Sequence, residues 1–267
     1  MLYICGTPIG NLEDMTFRLV NTLKDVDRIA AEDTRVTAKL IAHLGIKKPM
    51  ISYHEHNRAA RGEYIANLLT AGENIALVTD AGMPCISDPG ADLVKLCVER
   101  GLDVTVIPGP TAVSSALALS GLDTARFFFE GFLPARGRAK RLNEIKDLQC
   151  TVVFYEAPHR ISKTLSDIYE VFGNRRCAVA RELTKKFEEV VRGRLGEISV
   201  LEKGEFVIVV EGATAMHEKL DVLAEVRHLE NHGVERKEAM RQVAKRSGLT
   251  RREVYDIVSI QGRDSDA

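Results

Sequence analysis

The sequence predicts an α/β protein of two α/β domains followed by a small helical module, and three observations carry that prediction. Short apolar runs alternate with helix-period segments that stop at glycine. One of these runs ends in a loop, Asp80-Ala81-Gly82-Met83-Pro84-Cys85-Ile86-Ser87-Asp88-Pro89-Gly90, that carries carboxylates and glycines before an amphipathic segment begins at Ala91. From Thr214 onward the chain changes in kind, to three short helical stretches, with arginine and lysine dense between Arg236 and Arg252.

The predicted strands of the first domain, residues 2–6, 28–31, 50–53, 75–79 and 104–107, are near-continuous apolar runs rather than alternating ones. That pattern means burial on both faces of a mostly parallel sheet. The helices between them run to Gly45, Gly72 and Gly101, and a later one to Gly173, each glycine marking a helix C-terminus. Pro108-Gly109-Pro110 can neither continue a strand nor sit inside a helix, so the first domain closes there, at about residue 111. A second α/β domain, 112–213, follows with strands at 127–130, 151–155, 177–180, 189–194 and 206–210, two of them antiparallel. The module 214–267 reads as helices at 220–231, 236–246 and 251–259, and its last two helices resemble a helix-turn-helix.

With 267 residues and a net charge of −1, the chain has enough length for a sizeable core and is not a globally basic nucleic-acid binder. Its five cysteines, Cys5, Cys85, Cys97, Cys150 and Cys177, are widely spaced with no CxxC pair, which fits a reducing compartment and argues against a thiolate metal site. His54-x-His56 and His228-x-x-x-His232 lack a third ligand, so no metal is expected. Nowhere do about eighteen apolar residues run together, and the N-terminus has no basic, long apolar leader; a soluble cytoplasmic protein without a membrane segment is expected.

Several segments look like site chemistry. In open α/β sheets, ligands sit outside the carboxyl ends of strands, where glycine admits a close approach and Asp accepts hydroxyl or amino donors. The Asp80 loop fits that place, although a tight turn with Asp80 as a helix cap is the plainer alternative. Gly6-Thr7-Pro8-Ile9-Gly10-Asn11 also follows a strand, but it lacks the G-x-G-x-x-G spacing, and Pro8 removes an amide donor from any phosphate cradle. Thr111 and Ala112 head a helix right after a strand, where Thr111 serves as an N-cap, a ligand contact, or both. Tyr155-Glu156-Ala157-Pro158-His159-Arg160 and Ala180-Arg181-Glu182-Leu183-Thr184-Lys185 put acids and bases at strand ends, to orient a polar substrate or to form structural ion pairs. Arg136, Arg138, Lys140 and Arg141 form a basic loop, and residues 236–252 hold seven basic residues against one acid, net +6. Both suit phosphate contacts.

Taken in order, Gly6-Thr7-Pro8-Ile9-Gly10-Asn11-Leu12, Ala31-Glu32-Asp33-Thr34-Arg35, Ser52-Tyr53-His54-Glu55-His56-Asn57, the Asp80–Gly90 loop, Pro108-Gly109-Pro110, Glu130-Gly131-Phe132-Leu133-Pro134 and the two charged strand ends resemble a known family along essentially the whole chain. The family is the small-subunit ribosomal RNA methyltransferases of type I, within the tetrapyrrole-methylase-like, class III S-adenosyl-L-methionine-dependent methyltransferases. The resemblance implies the tetrapyrrole methylase fold, a homodimer, and 2′-O-methylation of a cytidine ribose in the decoding region of 16S rRNA, free or within the small ribosomal subunit. It implies a cofactor pocket from Pro8, Asp80, Gly82, Met83, Thr111, Ala112, Tyr155 and Phe206; relatives read Gly-Asp-Pro where this chain has Asp-Ala-Gly.

For removal of the hydroxyl proton the residues leave Glu32, Asp33, Glu156 and Glu182 as candidate bases, with Arg35, Arg160, Arg181 and Lys185 suited to holding phosphates. Arg136, Arg138, Lys140, Arg141, Arg241, Lys245, Arg246, Arg251 and Arg252 are the expected RNA contacts. Three other readings stand beside this one. They are a ligand-sensing regulator with a DNA-binding helix-turn-helix tail, a tetrapyrrole methylase, and a dinucleotide-dependent oxidoreductase, the last disfavoured by Pro8.

Overall fold

A computed structural model describes residues 1–214, 222–247 and 249–261, without the side chains of 245–247, 260 and 261. The chain forms two compact units, Met1–Gly212 and Ala213–Ala267.

The first unit holds two five-stranded sheets. The first is wholly parallel, in the order β3-β2-β4-β1-β5, from β1 (Leu2–Cys5), β2 (Arg28–Ala31), β3 (Met50–Ser52), β4 (Ile75–Val78) and β5 (Val104–Ile107). Helices α1 (Phe17–Asp25), α2 (Thr34–His43), α3 (Arg58–Thr70) and α4 (Ala91–Glu99) connect them, as parallel neighbours require a crossover. The apolar runs are continuous because both sheet faces are covered. Leu2, Ile4 and Leu77 pack with Ile65 and Leu69 of α3 and Leu93 of α4, whereas Cys5, Ala76 and Val78 pack with Leu19 and Leu23 of α1 and Ile41 of α2. Helix α1 has its own sequence signal, the Thr16 hydroxyl accepting the Leu19 amide and a Leu19–Leu23 pair facing inward.

After α5 (Ala112–Ser120), the second sheet runs β6-β7-β10-β8-β9, from β6 (Phe127–Phe132), β7 (Thr151–Glu156), β8 (Arg176–Arg181), β9 (Glu189–Arg194) and β10 (Phe206–Val210). Strands β9 and β10 run against the other three. One face packs on α6 (Arg138–Ile145) and α7 (Ile161–Phe172) and the other on α5, so β10 buries all five of its residues. Deleting the Ile208 side chain to Ala would leave a cavity costing ~2–5 kcal/mol.

The second unit packs α8 (Val222–Asn231), α9 (Arg236–Ser247) and α10 (Arg251–Gln261) around Val226, Ala239, Val243 and Val254. The predicted start of its first helix, at 220, lies outside the described residues.

Candidate active site

A cavity of about 400 Å³ opens at the carboxyl ends of strands of the first sheet and of β6 and β7, with the amino end of β10 beside them. Its first-sheet side is built by close backbone approach. The Gly6 amide donates to the Ile107 carbonyl (3.0 Å), and a Cβ on Gly6 would stand 2.5 Å from Met83 Sδ and 2.8 Å from the Gly109 nitrogen. Only glycine lets the ends of β1 and β5 meet in this way, which accounts for Gly109 between its two prolines. Thr7 and Gly82 then exchange both backbone hydrogen bonds (2.9 and 3.1 Å), tying the first loop to the Asp80 loop. The remainder of that loop is held in the left-handed region at Cys85 (φ 72°) and Ser87 (φ 63°), backbone strain of the kind found at ligand sites.

Three carboxylates line this cavity from the first-sheet side: Glu32, Asp80 and Asp88. Asp80 Oδ1 accepts the Asp33 amide (3.1 Å), and the Asp80 amide donates to Glu32 Oε2 (3.4 Å). The cap of α4 is Gly90, so Asp80 does not serve as a helix cap. Burial raises all three pKa values. Asp88 rises furthest, to about 7, from burial first and then from the like charges of Glu32 and Asp80. Among the described residues none of the three has a cationic partner in an ion pair.

The facing wall is apolar. Tyr155 stacks edge-on against Phe129 (5.0 Å) and Phe132 (5.5 Å), and Phe206 lies beside it on β10. A bulge between Phe129 and Gly131 brings β6 to the loop, where a Cβ on Gly131 would sit 2.8 Å from Ser87 Oγ. Thr111 lines the cavity and also caps α5 by accepting the Ser114 amide.

Of the residues expected around a cofactor, Asp80, Gly82, Met83, Thr111, Ala112, Tyr155 and Phe206 line this cavity. Pro8 does not; it lines a smaller neighbouring cavity. Of the candidate catalytic residues, Glu32 and Glu156 lie at the cavity wall and six do not. Asp33 is the N-cap of α2, accepting the Arg35 amide, and hydrogen bonds from Arg35 hold its carboxyl down at about 2. Arg35 is thereby engaged at 2.5 Å. Glu156 is at the wall, but its carboxylate is fully buried, pairs with Arg160 Nε (3.2 Å) and accepts hydrogen bonds from the Ala157 amide (2.9 Å) and Thr164, with Arg138 at 3.9 Å. That carboxylate belongs to a structural network rather than to a base poised for protons. Arg160 also donates to the Leu133 carbonyl (2.6 Å), Arg181 pairs with Glu189, and Lys185 bridges Glu182 (2.9 Å) and Glu205 (3.1 Å).

The expected basic loop 136–141 is half internal. Arg138 pairs with Asp167 (2.7 Å), and Arg141 makes a two-pronged contact with Glu130 besides reaching Glu144. Their acids come from β6 and α7 and from the next turn of α6, elements that sequence adjacency does not reveal. Arg136 and Lys140 stay exposed. In the helical unit Arg251 and Arg252 are exposed, Arg241 pairs with Glu238 (2.6 Å), and the side chains of Lys245 and Arg246 lie outside the described residues.

Asp88 and Glu205 are cavity residues that the sequence reading did not single out. Asp88 was legible as the second carboxylate of the strand-end loop; Glu205 carried no local signal.

Residues 1–199 match the family model described as tetrapyrrole (corrin/porphyrin) methylases. A protein of Halalkalibacterium halodurans named ribosomal RNA small subunit methyltransferase I is 46% identical, the match covering 96% of this chain and 93% of that one. The Bacillus subtilis protein of the same name is also 46% identical, over 98% and 94%. Among solved structures, a diphthine synthase superposes with a TM-score of 0.62 at 10% identity, covering 79% of this chain and 89% of that one. A cobalt precorrin-4 methyltransferase gives 0.59 at 19%, over 79% and 94%. Those two likenesses concern the fold. The chain belongs to the tetrapyrrole (corrin/porphyrin) methylase family, alongside its relatives named ribosomal RNA small subunit methyltransferase I.

Proposed function

We propose that this protein transfers a methyl group from S-adenosyl-L-methionine to the ribose 2′-hydroxyl of a cytidine in the decoding region of 16S rRNA. The observation that carries the reading is the cavity itself, with an aromatic wall facing the carboxylates Glu32, Asp80 and Asp88, which pair with no cation among the described residues, in a chain 46% identical to proteins named for small-subunit rRNA methylation. The residues present fit the cofactor. Gly82 lines the cavity without a side chain, Tyr155 and Phe206 supply apolar surface, and Asp80 and the amides at the head of α5 supply polar contacts.

When bound, S-adenosyl-L-methionine supplies a sulfonium methyl carbon open to in-line attack by oxygen. Asp88 Oδ takes the proton of the attacking 2′-hydroxyl. Its pKa, pushed up to about 7 by burial and by Glu32 and Asp80, suits a base working near neutrality. Phe132 and Tyr155 exclude water, and the strained 83–90 loop fixes Asp88 against the cavity. Positioning of this kind contributes up to ~7–11 kcal/mol to barrier lowering. The exposed arginines of the helical unit hold RNA phosphates. The protein works in the cytoplasm, and no described helix is long and apolar enough to cross a membrane. It works as a homodimer, as the family resemblance implies.

The test is nuclease digestion of small-subunit rRNA after incubation with protein and cofactor, followed by mass spectrometry. A 2′-O-methylcytidine is expected, and a methyl found only on a base contradicts the assignment.

A further inference from the structure

Beside the cofactor cavity lies a second one of about 230 Å³, between the first loop and α2. Asp80 lines both, and the partition between them is the hydrogen-bonded pair Thr7 and Gly82. We propose that this second cavity seats the pyrimidine base of the acceptor nucleotide, turned out of the RNA, so that its ribose meets the methyl donor at Asp80.

The lining matches what a single unstacked base requires. Pro8, Leu12, Val36 and Leu40 give it apolar surface, and Leu12 (42% exposed) and Val36 (38% exposed) leave the mouth open. The hydroxyls of Thr7, Thr37 and Thr79 supply polar groups from residues almost wholly buried. Thr79 Oγ1 has no hydrogen-bond partner, an unusual cost for a buried hydroxyl and one that a base edge would remove after a small shift. Lys39, also in the lining, has no carboxylate partner among the described residues, and Arg35 on the same helix is 87% exposed at its side chain. These two cations stand where the phosphates flanking an extruded nucleotide would pass. The volume accommodates a six-membered ring and not a four-pyrrole macrocycle, so the cavity also bears on the class of acceptor. Enzymes that modify a nucleotide take it out of the stack for the same geometric reason, to bring one atom to the donor.

The inference rests on the proposed rRNA methylation, and the test separates the two. Val36→Trp fills the cavity from a half-exposed helical position, where folding tolerates it. Cofactor affinity by calorimetry is expected to stay within about twofold of wild type, while kcat/KM for the rRNA substrate falls about 100-fold, the size of a one-ångström misplacement. Independently, rRNA carrying 5-iodocytidine at the acceptor position is expected to photo-cross-link wild-type protein within residues 7–12 or 34–40. Wild-type kcat/KM in Val36→Trp, or cross-links confined elsewhere, overturns the base cavity while leaving the activity intact. A wild-type protein that transfers no methyl to small-subunit rRNA overturns the proposed function, and the base cavity with it.

Discussion

The two sheets of the first unit present the same residue types at the same structural position and use them differently. At the rim of the parallel sheet, Glu32, Asp80 and Asp88 stand close together without cationic partners, and each is pushed toward protonation by burial. At the rim of the mixed sheet, Glu156, Arg160, Arg181, Glu182 and Lys185 are neutralised by one another and by Arg138, Glu189 and Glu205. The first rim is chemically available and costs stability. The second is satisfied and holds the wall in place. Strained backbone occurs on both sides, at Cys85 and Ser87 in one loop and at Glu182 and Thr184 in the other. Strain alone therefore does not distinguish them; pairing does.

The comparison breaks most sharply at its two central carboxylates. Asp88→Asn removes the base and is expected to lower the methyl-transfer rate by ~10²–10⁴-fold while cofactor affinity changes little, as read by single-turnover assay and calorimetry. Glu156→Ala is expected to cost ~3–5 kcal/mol in stability, because it deletes the buried carboxylate shared by Arg160, Thr164 and the Ala157 amide while Arg138 keeps Asp167, and its effect on transfer should follow loss of folded protein in denaturant titration. Asp80→Ala is expected to weaken cofactor binding by ~1.5–3 kcal/mol, as for a missing charged hydrogen bond; unchanged affinity would remove Asp80 from the pocket.

Stability against pH sharpens the contrast. The pKa of Asp88 is raised on folding, so its favourable contribution is complete below the unfolded value, ~4, and is lost as pH rises through about 7. Asp88→Asn should therefore be more heat-stable than wild type at pH 8, by on the order of 1 kcal/mol once solvent screening is allowed for, with the gain vanishing near pH 4. The smallest effect belongs to the helical unit. Reversing charge at Arg251 and Arg252 should reduce the salt dependence of RNA binding by ~0.7–0.9 of a log–log slope unit for each phosphate no longer neutralised, without altering cofactor affinity.

What could be read from the chain follows from how local each feature is. The strands were legible because burial on both faces writes a continuous apolar run, as in Ile75–Val78 and Phe206–Val210. The helix ends at Gly45, Gly72, Gly101 and Gly173 were legible because each glycine takes a positive φ. The Asp80 loop was legible because a whole functional segment is contiguous. The fate of the charged residues was not, since whether an arginine is free depends on an acid far along the chain: Arg138 meets Asp167, and Arg160 reaches the Leu133 carbonyl. Asp88 was legible as a second carboxylate of that loop but its raised pKa was not, because that comes first from burial in the folded loop and then from the charges of Glu32, across the sheet, and Asp80.

The most direct measurement is the single-turnover rate of methyl transfer to small-subunit rRNA as a function of pH, for wild type and Asp88→Asn. An unpaired carboxylate acting as the base predicts a wild-type rate that rises with pH and levels off above about 7, and a slow rate without that inflection in Asp88→Asn. A variant that follows the wild-type profile at the wild-type rate would contradict the assignment of the chemistry to the parallel sheet's rim.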